Sequence, residues 1–142
     1  MTTLEEKAQN VVDEFSIFDD WMDKYSHLIE LGKELPMIDE QYKDESHLIS
    51  GCQSRVWLQA DYQDGKVVFS ADSDAVITKG IVSLLIRVLS GSSPTDIVEA
   101  DLTFLDDIGL KAHLSPTRAN GLVSMVKQMK LYAKALQLKE GR

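Results

Sequence analysis

The stretch RVWLQADYQDGKVVFSA, residues 55–71, decides the fold class of this chain. β-Branched and aromatic side chains are enriched from Arg55 to Tyr62 and again from Val67 to Ala71, as in β-strands. Asp64-Gly65, between the two runs, is a typical two-residue hairpin turn. The stretch therefore predicts two antiparallel strands joined by a tight turn.

A long helical pattern follows this hairpin. Ser73 or Asp74 is a candidate N-cap for a helix that runs through Leu89 and that Gly91 ends. Apolar residues occur on nearly every side of this helix, which predicts that it is buried. We expect it to be the central helix of the domain.

Two further helical patterns precede the hairpin. Thr3 and Glu6 have capping-box spacing at the start of the first helix. The second helix follows Asp19-Asp20 and ends before Pro36. Its predicted apolar side consists of Met22, Tyr25, Leu28, Ile29 and Gly32. Residues 37–50 lack a periodic pattern and are predicted to form a loop.

Two Ser-Pro pairs, Ser93-Pro94 and Ser115-Pro116, are typical helix starts after the central helix. The last helix is the most regular, with an apolar stripe at Leu122, Met125, Val126, Met129, Ala133 and Leu136. No repeat or long linker divides the chain. The sequence thus predicts one helix-rich α+β domain over residues 1–142, in which a small antiparallel sheet packs on a central buried helix.

Composition and charge narrow the function classes. The 142 residues carry 15 basic and 23 acidic side chains, a net charge of −8, which disfavours binding to nucleic acid or to an anionic membrane surface. The longest apolar run, Ile81 to Leu89, is far shorter than the roughly 20 residues of a membrane span. Acidic residues concentrate in residues 1–50, whereas residues 101–142 are net basic. We therefore expect proteins or small molecules as partners.

The single cysteine, Cys52, has no intrachain disulfide partner. The first residues, Met1 to Lys7, lack the basic start and apolar run of a signal peptide. Together these features predict a reducing compartment, the cytoplasm.

The usual cofactor and metal motifs are missing from the sequence. One cysteine and three histidines do not provide the closely spaced ligands of a structural zinc site. Neither of the familiar glycine-rich phosphate-binding motifs occurs. Adjacent acids such as Asp19-Asp20 and Asp106-Asp107 are typical partners of helix dipoles and receive no catalytic role.

Cys52 is the remaining candidate for chemistry. Most lone cysteines are small buried hydrophobes, but Gly51 and the polar Gln53 and Ser54 favour a thiol presented on a loop. Residues on loops are often functional, and a thiol that ionises is a nucleophile. These residues alone do not decide whether Cys52 is inert or reactive.

Three ordered motifs then identify a family. Gly51-Cys52-Gln53-Ser54 with Val56-Trp57 resembles the cysteine loop of the SufE family of sulfur acceptors, and the fold is accordingly expected to be SufE/NifU-like. Asp72-Ser73-Asp74-Ala75 with Lys79-Gly80 is similar to the second family motif. His113-Leu114 with Pro116, Arg118 and Gly121-Leu122 is similar to the third.

The resemblance implies a function and a set of partners. Cys52 corresponds to the sulfur-accepting cysteine, which takes a persulfide sulfur from a cysteine desulfurase of the SufS-like or CsdA-like type. SufE-like proteins stimulate the desulfurase and pass the sulfur towards iron–sulfur scaffold proteins. They bind no cofactor themselves, whereas the desulfurase carries pyridoxal phosphate.

Arg118 and Asp74 are the matching residues expected near Cys52 by this resemblance. A nearby guanidinium favours thiolate and persulfide anions. The alternatives are an ordinary first-turn residue for Arg118 and a helix cap for Asp74. His47 and His113 are interpreted as structural histidines, Trp57 as a packing residue and Lys79 as a solvated one.

Two other functions compete with the sulfur acceptor. One is a stand-alone cysteine-dependent hydrolase, with Cys52 as nucleophile and His113 or His47 as base. The other is a binding module that senses redox state through Cys52 or does not use it at all.

Overall fold

The computed structural model describes residues 3–49 and 54–139. Over these two ranges the chain forms six α-helices and two strands, joined by short 3-10 turns. The elements are α1 (Leu4–Phe15), α2 (Trp21–Gly32), β1 (Val56–Gln63), β2 (Lys66–Ser73), α3 (Val76–Leu89), α4 (Pro94–Glu99), α5 (Phe104–Asp107) and α6 (Pro116–Lys139). The predicted α+β class, rich in helix with a small antiparallel sheet, is confirmed.

The hairpin is the one that the sequence predicts. β1 and β2 pair antiparallel from Val56 opposite Ser73 to Gln63 opposite Lys66. Asp64 and Gly65 connect them with φ angles of 52° and 80°, in the left-handed region that a tight hairpin turn requires. β1 has the length of its predicted run, shifted by one residue, whereas β2 extends beyond its run at both ends.

Neighbouring backbone covers the open edges of this two-stranded sheet. On the β2 side, Ile38 N–H donates to Ala71 O at 3.1 Å and Val67 N–H donates to Ser92 O at 2.8 Å. On the β1 side, Ile49 N–H donates to Val56 O at 2.9 Å. These hydrogen bonds leave little free edge for another strand to pair with.

Helix α3 lies at the centre of the core, as its all-round apolar pattern predicts. Its fully buried side chains are Ile81, Val82, Leu84, Leu85, Val88 and Leu89. Helix α2 crosses α3 at very short range, where Gly32 meets Gly80: a Cβ on Gly80 would lie 2.7 Å from the carbonyl carbon of Leu28. Gly80 is therefore required for the two backbones to approach, and a Cβ on Gly32 would make a tight contact, 3.0 Å from Gly80 N.

Three local predictions differ from the structure. Of the predicted apolar side of α2, Leu28 and Gly32 are buried together with Leu31, but Met22 at its start is 78% exposed. Helix α3 begins at Val76 after Ala75 and has no side-chain cap, so neither predicted cap residue fills that role. The short helix α5 was not predicted, because four residues carry no helical period.

No helix within the described ranges has both the length and the apolar character needed to cross a bilayer.

Candidate functional site

Cys52 lies outside the described residues, within the segment 50–53, which we call the cysteine segment. The site is therefore built from the residues on either side of this segment. On the N-terminal side, the Ile49–Val56 backbone hydrogen bond joins the chain to β1. On the C-terminal side, two hydrogen bonds join Arg55 to Asp74: Arg55 N–H donates to Asp74 Oδ1 at 3.0 Å, and Asp74 N–H donates to Arg55 O at 3.3 Å.

The side chain of Asp74 acts on the loop and not on the helix that follows it. An Asp just before a helix normally accepts from the helix N–H groups. Here its carboxylate instead accepts from Arg55, three residues after Cys52. Asp74 thus fixes the position at which the chain leaves the cysteine segment and enters β1.

Arg118 and Ser54 line the same small cleft, which we call the Ser54–Arg118 cleft. Its volume is about 50 Å³, and it is lined by Ser54, Thr78, Ile81, Thr117, Arg118, Gly121 and Met125. Pockets that hold drug-sized ligands are larger, at about 300–1,000 Å³. The cleft admits a group no larger than a side chain.

The start of α6 gives this cleft a positive end. Arg118 is exposed and lies in the first turn of α6, where its N–H donates to Ser115 Oγ at 3.3 Å. The first N–H groups of a helix carry partial positive charge, which adds to the charge of the guanidinium. An anion in the cleft would be stabilised by both.

A buried carboxylate that the sequence did not single out lies beside this site. Asp72 is 9% exposed and contacts two ammonium groups, Lys43 at 2.6 Å and Lys79 at 3.3 Å. Burial raises the pKa of Asp72, but the hydrogen bonds from Lys43 and Ser73 N–H and the charge of Lys79 lower it below its ordinary value overall. The interpretation of Lys79 as merely solvated is thus incomplete. The loop before the cysteine segment is held to β2 and α3 by this network.

Both histidines that were candidate bases are engaged elsewhere. His47 Nε2 contacts Gln59 Oε1 at 2.8 Å, and its Nδ1 contacts Asp44 Oδ1 at 2.8 Å. The His113 ring stacks on Trp21 at 4.1 Å, and its Nδ1 lies 3.0 Å from Gly109 O. These contacts fit the structural interpretation and leave neither imidazole with two free nitrogens.

Removing the Asp74 acceptor is expected to loosen the Arg55 end of the cysteine segment. In Asp74→Ala, amide hydrogen exchange at Arg55 should rise about twofold to tenfold, since one such hydrogen bond contributes about 0.5–1.5 kcal/mol. Alkylation of Cys52 should change in the same variant. Asp74→Asn keeps an oxygen acceptor and is the matched control. Equal exchange at Arg55 in Asp74→Ala and wild type would contradict the role assigned to this carboxylate.

Comparison with known proteins gives a consistent family. A family model described as SufE, Fe-S metabolism associated domain, matches residues 9–133. An uncharacterised SufE-like protein of Synechocystis is 40% identical over 96% of this chain and 86% of its own length. An uncharacterised SufE-like protein of Rhizobium meliloti is 38% identical over 92% of this chain and 94% of its own length.

Two further similarities are to a longer plant protein and to a solved structure. SufE-like protein 1 of Arabidopsis thaliana, named as chloroplastic/mitochondrial, is 38% identical over 94% of this chain, which spans only 36% of that longer protein. The solution structure of a hypothetical protein from Thermus thermophilus superposes with a TM-score of 0.76, covering 91% of this chain and 94% of that one. Its identity is 22%, so this likeness concerns the fold alone.

Proposed function

Because this chain belongs to the SufE family, whose domain is associated with Fe–S metabolism, we propose that Cys52 accepts persulfide sulfur from a cysteine desulfurase. As a persulfide, Cys52 then carries that sulfur towards iron–sulfur cluster assembly. The observation that carries this proposal concerns the chain directly after the cysteine segment: Asp74 accepts a hydrogen bond from Arg55, and Arg118 lines the same cleft as Ser54.

Covalent geometry links these residues to Cys52. Two peptide units separate Cys52 from Ser54, and two units of extended chain span about 7 Å at most. Ser54 itself lines the cleft with Arg118. Position 52 is therefore separated by at most about 7 Å of chain from a residue that shares its cleft with Arg118, whose charge would favour an anionic sulfur nearby.

The proposed reaction is an exchange at sulfur that conserves atoms and electrons. The Cys52 thiolate attacks the terminal sulfur of the desulfurase persulfide, a new S–S bond forms to Cys52, and the old S–S bond breaks. The desulfurase cysteine leaves as a thiolate, which can take up the proton that Cys52 lost on ionisation. No external oxidant or reductant is needed, because the persulfide only changes its carrier.

The rate of such an exchange depends on the thiolate fraction of Cys52 and on its access. In this proposal Arg118 and the N-terminus of α6 supply the positive field, and Asp74 holds the Arg55 end of the segment. The hydrolase alternative loses support for His47, because both of its ring nitrogens have partners, whereas His113 has a hydrogen-bond contact at Nδ1 alone.

Arg118→Ala is expected to raise the pKa of Cys52 and to slow sulfur acceptance about tenfold, because one pKa unit corresponds to that factor in thiolate fraction below the pKa. Arg118→Lys keeps the charge without the planar guanidinium and should recover part of the rate. The measurement is a pH titration of Cys52 alkylation in the three proteins. Coincident titration curves with undiminished sulfur transfer would return Arg118 to a purely structural role.

The test of the function itself uses the full chain with a purified cysteine desulfurase, its pyridoxal phosphate and free cysteine. We expect alanine formation by the desulfurase to rise when the chain is added, since an acceptor removes the persulfide that blocks further turnover. The chain alone should hydrolyse neither esters nor amides. Unchanged alanine formation would contradict the acceptor function, and partner-free hydrolysis would favour the hydrolase.

The partner in this proposal is a desulfurase of the SufS-like or CsdA-like type, and the sulfur passes on to an iron–sulfur scaffold protein. The chain requires no cofactor or metal of its own for the exchange. A reducing compartment such as the cytoplasm would keep the single cysteine available as a thiol.

A further inference from the structure

Helix α6 has an outer face that the described parts of the chain leave open to solvent. On this face Val123, Leu131 and Leu138 are 54%, 51% and 71% exposed. Every charged residue of α6 is basic, although the chain as a whole has a net charge of −8. Single exposed apolar residues are common on protein surfaces, but apolar residues that recur along one helix face indicate a contact surface.

Leu131 projects from this face between two cations. Lys127 precedes it by four residues and Lys134 follows it by three, so both lie one turn away on the same side of the helix. Within residues 3–49 and 54–139 neither lysine forms an ion pair, and Lys134 contacts the neutral Gln137 Oε1 at 3.2 Å. We call Leu131 with these two lysines the α6 knob.

A hollow of matching character lies between residues 101–106 and the first half of α6, and we call it the α5–α6 hollow. Its volume is about 240 Å³, below the roughly 300–1,000 Å³ of pockets for drug-sized ligands. This space suits a side chain of a protein partner. Most of its lining is apolar and comes from Leu102, Leu105, Leu122, Val123 and Val126.

Two carboxylates also line the α5–α6 hollow. Asp101 and Asp106 are both exposed, and neither forms an ion pair with any residue that the structure describes. The hollow therefore offers an apolar space beside two anions, and the α6 knob offers an apolar side chain beside two cations. The two surfaces of this chain are complementary in polarity and in charge.

The spacing of the two surfaces suits a contact between two copies. Val123 in the hollow and Leu131 in the knob are eight residues apart, about 12 Å along α6. If two copies place their α6 helices antiparallel about a two-fold axis, each knob meets the hollow of the other copy. The axis then passes near Lys127, whose flexible stem allows its ammonium group to turn towards a carboxylate of the other hollow.

We propose that the α6 knob and the α5–α6 hollow form the interface of a symmetric dimer of this chain. Leu131 of each copy enters the hollow of the other, and Lys127 and Lys134 meet Asp101 and Asp106 there. The occupant is a second copy because this chain itself carries both complementary surfaces. Two chains of net charge −8 also repel each other, so we expect a dimer that dissociates on dilution. The inference does not depend on the proposed sulfur transfer.

The test is sedimentation equilibrium of the full chain from micromolar to millimolar concentration. The mass of wild type should rise from that of one chain to that of two. Leu131→Asp should weaken the dimer tenfold or more, because a carboxylate would enter an apolar hollow beside two aspartates. The matched control is Val76→Asp, since Val76 is a 63% exposed helix residue that lies beside Ile29 and Gly32 of α2. This control should dimerise like wild type.

Charge reversal tests the pairing of the two surfaces. The double variants Asp101→Lys/Asp106→Lys and Lys127→Glu/Lys134→Glu should each remain single chains, because like charges then face each other at both contacts. An equal mixture of the two should form a dimer again, since every contact between the two variants joins opposite charges. A defect in folding would not be rescued by mixing.

Four results would overturn the proposal. Wild type could keep the mass of one chain over the whole series, or could grow beyond two chains, as a head-to-tail contact would. Leu131→Asp, folded by circular dichroism, could dimerise as tightly as wild type, or only as weakly as Val76→Asp does. The folded charge variants could fail to dimerise when mixed.

Discussion

Replacing Cys52 by serine is expected to abolish sulfur acceptance and to return desulfurase turnover to the rate of the enzyme alone. A serine hydroxyl is close to the thiol in size, but it does not ionise near neutral pH and forms no persulfide. The measurements are alanine formation and the mass of the chain after incubation with desulfurase and cysteine. We expect a complete loss of sulfur acceptance, because the sequence contains a single cysteine.

The loss of sulfur acceptance can be assigned to the missing thiol if the variant still binds the desulfurase. The Cys52→Ser variant should bind the desulfurase with an affinity close to that of wild type, because the serine and cysteine side chains are similar in size. If the variant still stimulated alanine formation to the wild-type level, direct sulfur relay would be wrong, and an allosteric effect on the desulfurase would have to take its place.

Replacing Gly80 by alanine is expected to destabilise the fold by about 2–4 kcal/mol. A new Cβ would overlap the carbonyl group of Leu28 in α2, and backbone atoms cannot move aside as a side chain does. Helix propensity acts in the opposite direction, since alanine is favoured over glycine by about 1 kcal/mol in a helix interior. We expect the steric overlap to outweigh the gain in helix propensity, because α2 and α3 would have to move apart. Chemical denaturation measures the difference.

Gly32→Ala is the graded control for this prediction. Its new Cβ would lie 3.0 Å from Gly80 N, a tighter contact than usual but one that a small shift can relieve. The loss of stability should therefore be smaller than in Gly80→Ala. A Gly80→Ala protein as stable as wild type would show that the two helices are not packed at the described distance.

The elements that depend on residues close together in the sequence could be predicted from the sequence. The hairpin depends on Asp64-Gly65 and on two short apolar runs, and the structure confirms its turn and pairing. The start of α6 depends on Ser115, which accepts from Arg118 N–H as a helix cap should. The start of α6 and the hairpin turn were predictable because each is set by residues within a few positions of one another, and the turn then fixes the register of the two strands.

Features that depend on distant residues were not predictable in the same way. Asp74 was expected as a possible cap, but it bonds to Arg55, 19 residues earlier, and only the paired strands bring the two together. Asp72 received no role of its own, because its partners Lys43 and Lys79 come from a loop and from α3. One signal was available: an acid that follows the alternating apolar run of β2 needs a cation if it is buried.

The same distinction applies to the candidate site. Asp74 and Arg118 were selected by resemblance and not by spacing, whereas Cys52 was already the remaining candidate for chemistry on the residues themselves. The structure adds the hydrogen bond between Asp74 and Arg55 and the cleft that Arg118 shares with Ser54, whereas Cys52 itself lies outside the described residues. The glycine contact between α2 and α3 had no local signal, since a glycine inside a helix pattern normally indicates only a weaker helix.

The most direct test of sulfur transfer to Cys52 is mass spectrometry of the full chain after incubation with a cysteine desulfurase, pyridoxal phosphate and cysteine. We predict a gain of one sulfur atom, located by proteolysis on the peptide that contains Cys52 and removed by a thiol reductant. An unmodified chain, under conditions in which the desulfurase itself carries a persulfide, would contradict the account.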